Sequence, residues 1–216
     1  MAFESRVAII TGGIGGLASA IGQQLHAQGA KLALLYAPFE ADSVAQVVAE
    51  TYGPSPPGIA TYVCDITSPS SVEKAFAAIA ADDAGFPAIL VNSAGYINLT
   101  PLEETTPEDS LKHYMVNLYG PTLTGQAFAR LYFAARDKSP DTAPGGRIVN
   151  IASQAAHVAL DKHGAYCASK AGLLGLTRCQ ASEWAPRGIT ANTISPGPVW
   201  TTLGKKAWAD DNVREE

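Results

Sequence analysis

The sequence predicts a doubly wound α/β fold on a mostly parallel sheet. Three observations predict it. Six short apolar runs alternate with segments of helical period along the 216 residues. The runs are apolar almost throughout, as strands covered on both faces are, instead of alternating apolar and polar. The first run ends in a glycine-rich turn that leads straight into a helix. No linker or internal repeat breaks the pattern, so residues 1–216 read as a single domain.

The elements follow in order. Arg6–Thr11 (RVAIIT) is a buried strand, and Ala18–Gln28 is a helix stopped by Gly29. Lys31–Tyr36 (KLALLY) is the second strand, and Glu40–Tyr52 the second helix. The proline-rich Gly53–Gly58 is a surface loop, and Thr61–Cys64 the third strand. Ser68-Pro69 opens a helix to about Ala81, with proline in the tolerated first turn. Ala88–Val91 is the fourth strand, ended by Asn92-Ser93-Ala94-Gly95. Pro107–Ala135 is one long helix, expected to bend near Gly120-Pro121. Arg147–Ile151 is the fifth strand, Tyr166–Trp184 a helix, and Ile189–Ile194 the sixth strand. Right-handed crossovers between parallel strands then impose the doubly wound topology.

Composition excludes several classes. With 47% hydrophobic and 16% charged residues the chain is a folding sequence and not a disordered one. Fifteen Lys+Arg against twenty Asp+Glu give a net charge of −5, with no basic stripe, which argues against nucleic-acid binding. No apolar run approaches the ~20 residues of a membrane span, and Met1–Arg6 has no secretory pattern. Cys64, Cys167 and Cys179 are odd in number and lack metal-ligand spacing, and the four histidines are scattered. The expectation is a reduced, cytoplasmic protein without a metal site.

Two motifs carry chemistry. The first is Thr11-Gly12-Gly13-Ile14-Gly15-Gly16-Leu17-Ala18, between the first strand and the first helix. Glycines there let backbone N–H groups approach a pyrophosphate at the helix N-terminus. The spacing fits T-G-x-x-x-G-x-G, with Ala18 at the third glycine position, and not G-x-G-x-x-G. A glycine turn also occurs as a purely structural device, so position in the fold matters as much as composition. The second motif is Ser153, Tyr166 and Lys170. Tyr166 and Lys170 stand at i and i+4 of a helix and share a face, while Ser153 follows the fifth strand. A tyrosine of pKa ~10 is a poor acid–base group at neutral pH. A nearby ammonium favours the phenolate, and lowering the pKa by ~3 units corresponds to ~4 kcal/mol. Tyr166 could then exchange a proton with a carbonyl or alcohol oxygen that Ser153 holds.

With these motifs in order, the chain resembles the short-chain dehydrogenase/reductase family from about Arg6 to about Thr202. Asp65, Asn92-Ser93-Ala94-Gly95, Asn117 and Pro196-Gly197-Pro198-Val199-Trp200-Thr201 complete the pattern. The resemblance implies a Rossmann-like fold and an NAD(P)-dependent oxidoreductase that interconverts an alcohol and a carbonyl. It implies Tyr166 as acid–base and Ser153 as its hydrogen-bonding partner. It implies Lys170 as the group that lowers the tyrosine pKa and binds the nicotinamide ribose, and Asn117 as the holder of a relay water at a helix kink. Cofactor contacts are expected at Gly12, Ile14, Gly16, Leu17, Tyr36, Asp65, Ile66, Asn92, Ala94, Gly95, Pro196, Gly197, Val199 and Thr201. Tyr96, Gln154, His157 and Trp200 are the candidates on the substrate side.

Three features depart from the family pattern. Tyr36 stands where an NAD-specific site has a carboxylate for the ribose 2′-OH, and no Lys or Arg lies in Gly13–Leu17 or Ala37–Phe39. NADP(H) is therefore slightly favoured over NAD(H). Family members carry a further helix and a seventh strand beyond the Pro-Gly motif, whereas here only Thr202–Glu216 remains, read as a substrate-covering helix. The expectation is a chain incomplete at its C-terminus with the last strand missing. The substrate itself is a small alcohol or carbonyl compound without further definition. Family practice and the long helices imply a homo-oligomer, a dimer or tetramer. The competing reading is a catalytically inactive nucleotide-binding sensor or subunit.

Overall fold

The structure is a computed structural model that describes residues 1–201. Six parallel strands form one sheet in the order β3-β2-β1-β4-β5-β6. They are β1 (Arg6–Thr11), β2 (Lys31–Tyr36), β3 (Ile59–Val63), β4 (Phe86–Asn92), β5 (Gly146–Ile151) and β6 (Ile189–Ile194). The helices are α1 (Gly16–Ala27), α2 (Ala41–Tyr52), α3 (Pro69–Ala81), α4 (Pro107–Tyr114), α5 (Gly120–Lys138) and α6 (Gly164–Trp184). A single domain with a Rossmann-like sheet is what the alternating pattern predicted.

Successive side chains of a strand point to opposite faces, so each apolar run feeds two cores. Ile9, Leu35, Leu90 and Ile148 face one layer, with Phe76 of α3 and Phe128 and Tyr132 of α5. Ala8, Ile10, Leu32, Leu34 and Val91 face the other, with Ala18, Ile21 and Leu25 of α1. This two-sided burial is why the runs lack a polar alternation.

Several boundaries differ from expectation. The fourth strand begins at Phe86 and includes Pro87, although it is flanked by β1 and β5. Proline has no N–H for the ladder, and the pairing with β1 skips a residue there, from Val7–Pro87 to Ala8–Ile89. The second helix is preceded by a separate turn of 3₁₀ helix, Pro38–Glu40. The third strand starts earlier, at Ile59. The long helix is interrupted by a π turn at Met115–Tyr119, just before the expected Gly120-Pro121. Pro121 cannot donate to the carbonyl four residues back, that of Asn117, so the α-helical ladder must change there. The substrate-covering helix expected over Thr202–Glu216 lies outside the described residues.

Candidate active site

Strand order reverses between β2-β1 and β4, and the crevice above that switch point is the binding place of open α/β sheets. The glycine turn sits there. Gly12 has φ +60°, a left-handed conformation, and a Cβ on it would stand 2.9 Å from Ala94 Cα. The Gly15 N–H donates to the Gly12 carbonyl at 2.8 Å, closing the turn. Gly15 is the N-cap of α1 and offers no side-chain cap, so the first N–H groups of the helix are left for a ligand. Ala18 is buried, so its methyl is accommodated at the third glycine position. This uncapped helix start, reached by a turn whose glycines are closely packed against Ala94, Leu34 and Thr201, fits a dinucleotide pyrophosphate.

One continuous cleft joins this turn to the second motif. Leu17, Ser93 and Gly95 line one end of it, Ser153, Gln154, Tyr166 and Lys170 the other, and Pro196, Gly197, Val199 and Thr201 one wall. Thr201 packs against the glycine turn: a Cβ on Gly16 would lie 2.9 Å from Thr201 Cγ2. Ala152 and Ile151 carry β5 into the cleft floor, and Ser153 then caps a short 3₁₀ turn by accepting from the Ala155 N–H at 3.2 Å.

Burial holds the Tyr166 phenol above its ordinary value, and the neighbouring Ser153 hydroxyl, which favours the phenolate, does not outweigh it. Lys170 is buried on the same face of α6, and its Nζ donates to the Ile151 carbonyl at 2.8 Å. Burial pushes its ammonium down to about 8. Its Nζ lies 5.7 Å from the centre of the Tyr166 ring. The expected lowering of the tyrosine by the lysine is therefore not seen in this structure. Desolvation penalises the charged form of both groups, and the ammonium is anchored to a backbone carbonyl, not to the phenol oxygen.

Asn117 lies in the π turn and is fully buried. Its side chain is consumed by structure: Nδ2 donates to Ser169 Oγ at 3.0 Å, and the Ser169 hydroxyl donates to the Tyr166 carbonyl at 2.7 Å. Its main-chain carbonyl lacks an α-helical donor because residue 121 is proline.

Other expectations are corrected by burial and orientation. The Asn92 side chain points into the interior, where Nδ2 donates to Asn150 Oδ1 at 2.8 Å and Oδ1 accepts from Thr124 Oγ1 at 2.7 Å. Only its backbone can serve a cofactor. The Ile66 side chain is buried against Gly120, so the same holds there. Asp65 Oδ1 is occupied by the Thr67 N–H at 2.9 Å and the Thr67 hydroxyl at 2.7 Å. Tyr96 does not line the cleft: its hydroxyl donates to Asp109 at 2.7 Å and its ring stands edge-on to His113 at 4.7 Å. His157 is exposed and bonded to Ser195 Oγ at 3.0 Å, and Trp200 is exposed outside the lining. Of the substrate-side candidates, Gln154 alone is in the wall. Leu160 and the buried His163, from the segment between Ser153 and Tyr166 expected to line the pocket, are in the wall, with the His163 ring 6.0 Å from that of Tyr166, and Ile97 joins them from outside the expected set. Their position between the Asn-Ser-Ala-Gly turn and α6 was the available signal.

The family model described as Enoyl-(Acyl carrier protein) reductase matches residues 12–216. D-threitol dehydrogenase from Mycolicibacterium smegmatis is 40% identical over 205 residues, covering 95% of this chain and 74% of the relative. The chain belongs to the short-chain dehydrogenase/reductase family. NAD-dependent glycerol dehydrogenase from Listeria innocua is 38% identical over 206 residues, 94% of this chain and 74% of the relative. The crystal structure of a dehydrogenase/reductase from Sinorhizobium meliloti superposes with a TM-score of 0.81 at 32% identity, over 94% of this chain and 75% of that one. Membership makes the chain an oxidoreductase with a nicotinamide cofactor, acting on an alcohol/carbonyl pair. No described helix is long and apolar enough to cross a membrane.

Proposed function

We propose that this enzyme interconverts a small polyol and the corresponding ketone, with Tyr166 as the acid–base residue. The observation that carries the assignment is that Ser153, Tyr166 and Lys170 line one cleft together with Leu17 at the uncapped start of α1. The bound nicotinamide supplies or accepts the hydride. In reduction Tyr166 gives its phenolic proton to the carbonyl oxygen, and in oxidation it takes the alcohol proton. Ser153 holds that oxygen beside the phenol. Lys170 uses one of its three donors on the Ile151 carbonyl and keeps the others for ribose hydroxyls. The Asn117 carbonyl holds a water behind the lysine. The glycine turn, with Leu17, receives the pyrophosphate. The backbones around Asp65, Ile66, Asn92 and Ala94 flank the adenosine, and Val199 and Thr201 flank the carboxamide.

The relatives' names support a polyol. The wall composition agrees, since Gln154 and His163 add polar groups to the apolar Ile97 and Leu160. For the cofactor, Tyr36 taken by itself favours NADP(H), while the glycerol dehydrogenase relative is named NAD-dependent. A cytoplasmic homo-oligomer is part of the same reading. Leu111, Tyr114, Met115 and Tyr119 form an exposed apolar stripe at helical spacing on α4 and the π turn. Light scattering of the purified protein tests the assembly.

The deciding experiment follows absorbance at 340 nm with C3–C6 polyols and their ketoses, in both directions and with both dinucleotides. Turnover of a polyol supports the assignment. Dinucleotide binding with no turnover on any alcohol or carbonyl establishes the inactive sensor instead.

A further inference from the structure

The geometry points to His113 as a positioning residue: its neutral imidazole holds the Ile97 wall of the substrate cleft against α4, and protonation of the ring releases that wall. For its effect on turnover this rests on the polyol reading of the cleft. His113 takes no part in the mechanism above, yet it is only 1% exposed. Asp109 and His113 stand at i and i+4 on α4, so they share a face. That face takes two alternate residues of the segment after β4. The Tyr96 hydroxyl donates to Asp109 Oδ1 at 2.7 Å, and Asn98 Nδ2 donates to Asp109 Oδ2 at 3.2 Å. The Asn98 main-chain N–H donates to His113 Nε2 at 3.1 Å. Gly95 and Ile97, which alternate with them, line the cleft.

An imidazole nitrogen that accepts from an N–H carries no proton, so the proton is on the other nitrogen. Nδ1 lies 2.8 Å from the Asp109 main-chain carbonyl, which accepts it. The ring is thus fixed in its neutral Nδ1–H form, with both nitrogens bonded. Histidine is the side chain whose charge changes between about pH 5 and about pH 8. The titratable groups facing the ring come from three elements. On α4, Asp109 Oδ2 lies 3.7 Å from Nδ1. From the segment after β4, the Tyr96 ring stands 4.7 Å away, with the Lys112 ammonium 4.3 Å from its centre. From α6, the Tyr166 ring stands at 6.3 Å. Burial opposes the Asp109 charge, but the hydrogen bonds from Tyr96 and Asn98 hold its carboxyl below the usual value, so it is ionised through this window. The carboxylate therefore favours an imidazolium on the Nδ1 side. The cost of protonation falls on the Nε2 side, where a new N–H meets the Asn98 N–H and the acceptor is lost. The ends of the segment are held independently. The Asn117 amide pairs with the Tyr96 backbone, and the Thr100 N–H donates to the Lys162 carbonyl at 3.1 Å. Protonation frees the stretch between them, which carries Ile97.

The test reads hydrogen exchange of residues 96–100 by mass spectrometry, corrected for the intrinsic rate at each pH. Protection of this segment in the wild type is expected to fall by at least about tenfold from about pH 7.5 to about pH 5.5. His113→Gln keeps an oxygen for the Asn98 N–H and does not titrate, so its protection is expected to stay within about twofold over that range. The kinetic arm reduces the ketose that is turned over fastest. Its KM is expected to rise at least about fivefold in the wild type over the same fall in pH, with kcat within about twofold, and to stay level in His113→Gln. His26→Gln, on α1, is expected to keep both wild-type profiles. Level protection in the wild type overturns the role of His113 without any variant. A pH dependence that persists in His113→Gln or vanishes in His26→Gln overturns it too, as does a level KM while protection falls. Absence of turnover on every ketose overturns the polyol reading instead, and the exchange profile alone then decides the role of His113.

Discussion

The side chain of Asn117 pairs with the backbone of Tyr96 as a neighbouring strand would. Asn117 Oδ1 accepts from the Tyr96 N–H at 2.8 Å, and Nδ2 donates to the Tyr96 carbonyl at 2.9 Å. This clamp ties the turn after β4 to the π turn, and through Ser169 to the backbone of Tyr166. Removing it leaves several buried polar groups unpaired at once. Asn117→Ala is expected to lose at least about 2 kcal/mol of stability, measured by chemical denaturation. It is also expected to lower kcat. A fully stable Asn117→Ala would show that the clamp contributes nothing.

Tyr166→Phe deletes the proton-transfer group and preserves the ring. Turnover should fall by at least about 100-fold, the usual scale of general acid–base catalysis. Dinucleotide affinity should stay within about twofold, because the phenol is not placed on the pyrophosphate or adenosine. Retention of wild-type kcat would falsify the assigned mechanism.

The pH dependence has a definite sign. Burial holds the Tyr166 phenol above its ordinary value, so the proton stays on it at neutral pH and the group is poised as an acid. Carbonyl reduction should be favoured at neutral pH, and alcohol oxidation should rise with pH into the alkaline range. Initial rates in both directions between about pH 6 and about pH 10 check this. An oxidation rate that falls above neutral pH contradicts it.

Lys170 adds a stability signature. Its ammonium is pushed down to about 8 by burial, from 10.5. Between these values the unfolded chain binds more protons than the folded one, so this residue makes stability rise with pH across that window. Below it the residue contributes a constant cost of keeping a buried charge. Lys170→Met should remove the rise, seen as the difference between wild-type and variant denaturation midpoints at about pH 7.5 and about pH 10, near the limits of the window. Equal pH slopes for the two proteins would refute it.

Gly12→Ala tests the glycine turn. The position requires φ +60°, and the new methyl would sit 2.9 Å from Ala94 Cα, a backbone atom that cannot move cheaply. A cost of about 1–3 kcal/mol in stability and weaker dinucleotide binding are expected. Fluorescence titration of NADH reads the second effect, and unaltered affinity would separate this turn from the cofactor.

The elements, their order and the grouping of Ser153, Tyr166 and Lys170 in one cleft are legible along the chain. Strand burial on two faces leaves an apolar run, a helix face repeats at i and i+4, and glycine marks tight turns, so each is written in near neighbours. The partners of the side chains come only with folding. Asn92 looked like a cofactor residue and is spent on Asn150, a partner 58 positions away. Tyr96 looked like a pocket wall and turns to Asp109 on α4. The lysine expected to lower Tyr166 is bound to the Ile151 carbonyl, while burial raises the phenol. Burial and hydrogen-bond partners come from segments distant in sequence, so no local pattern encodes them.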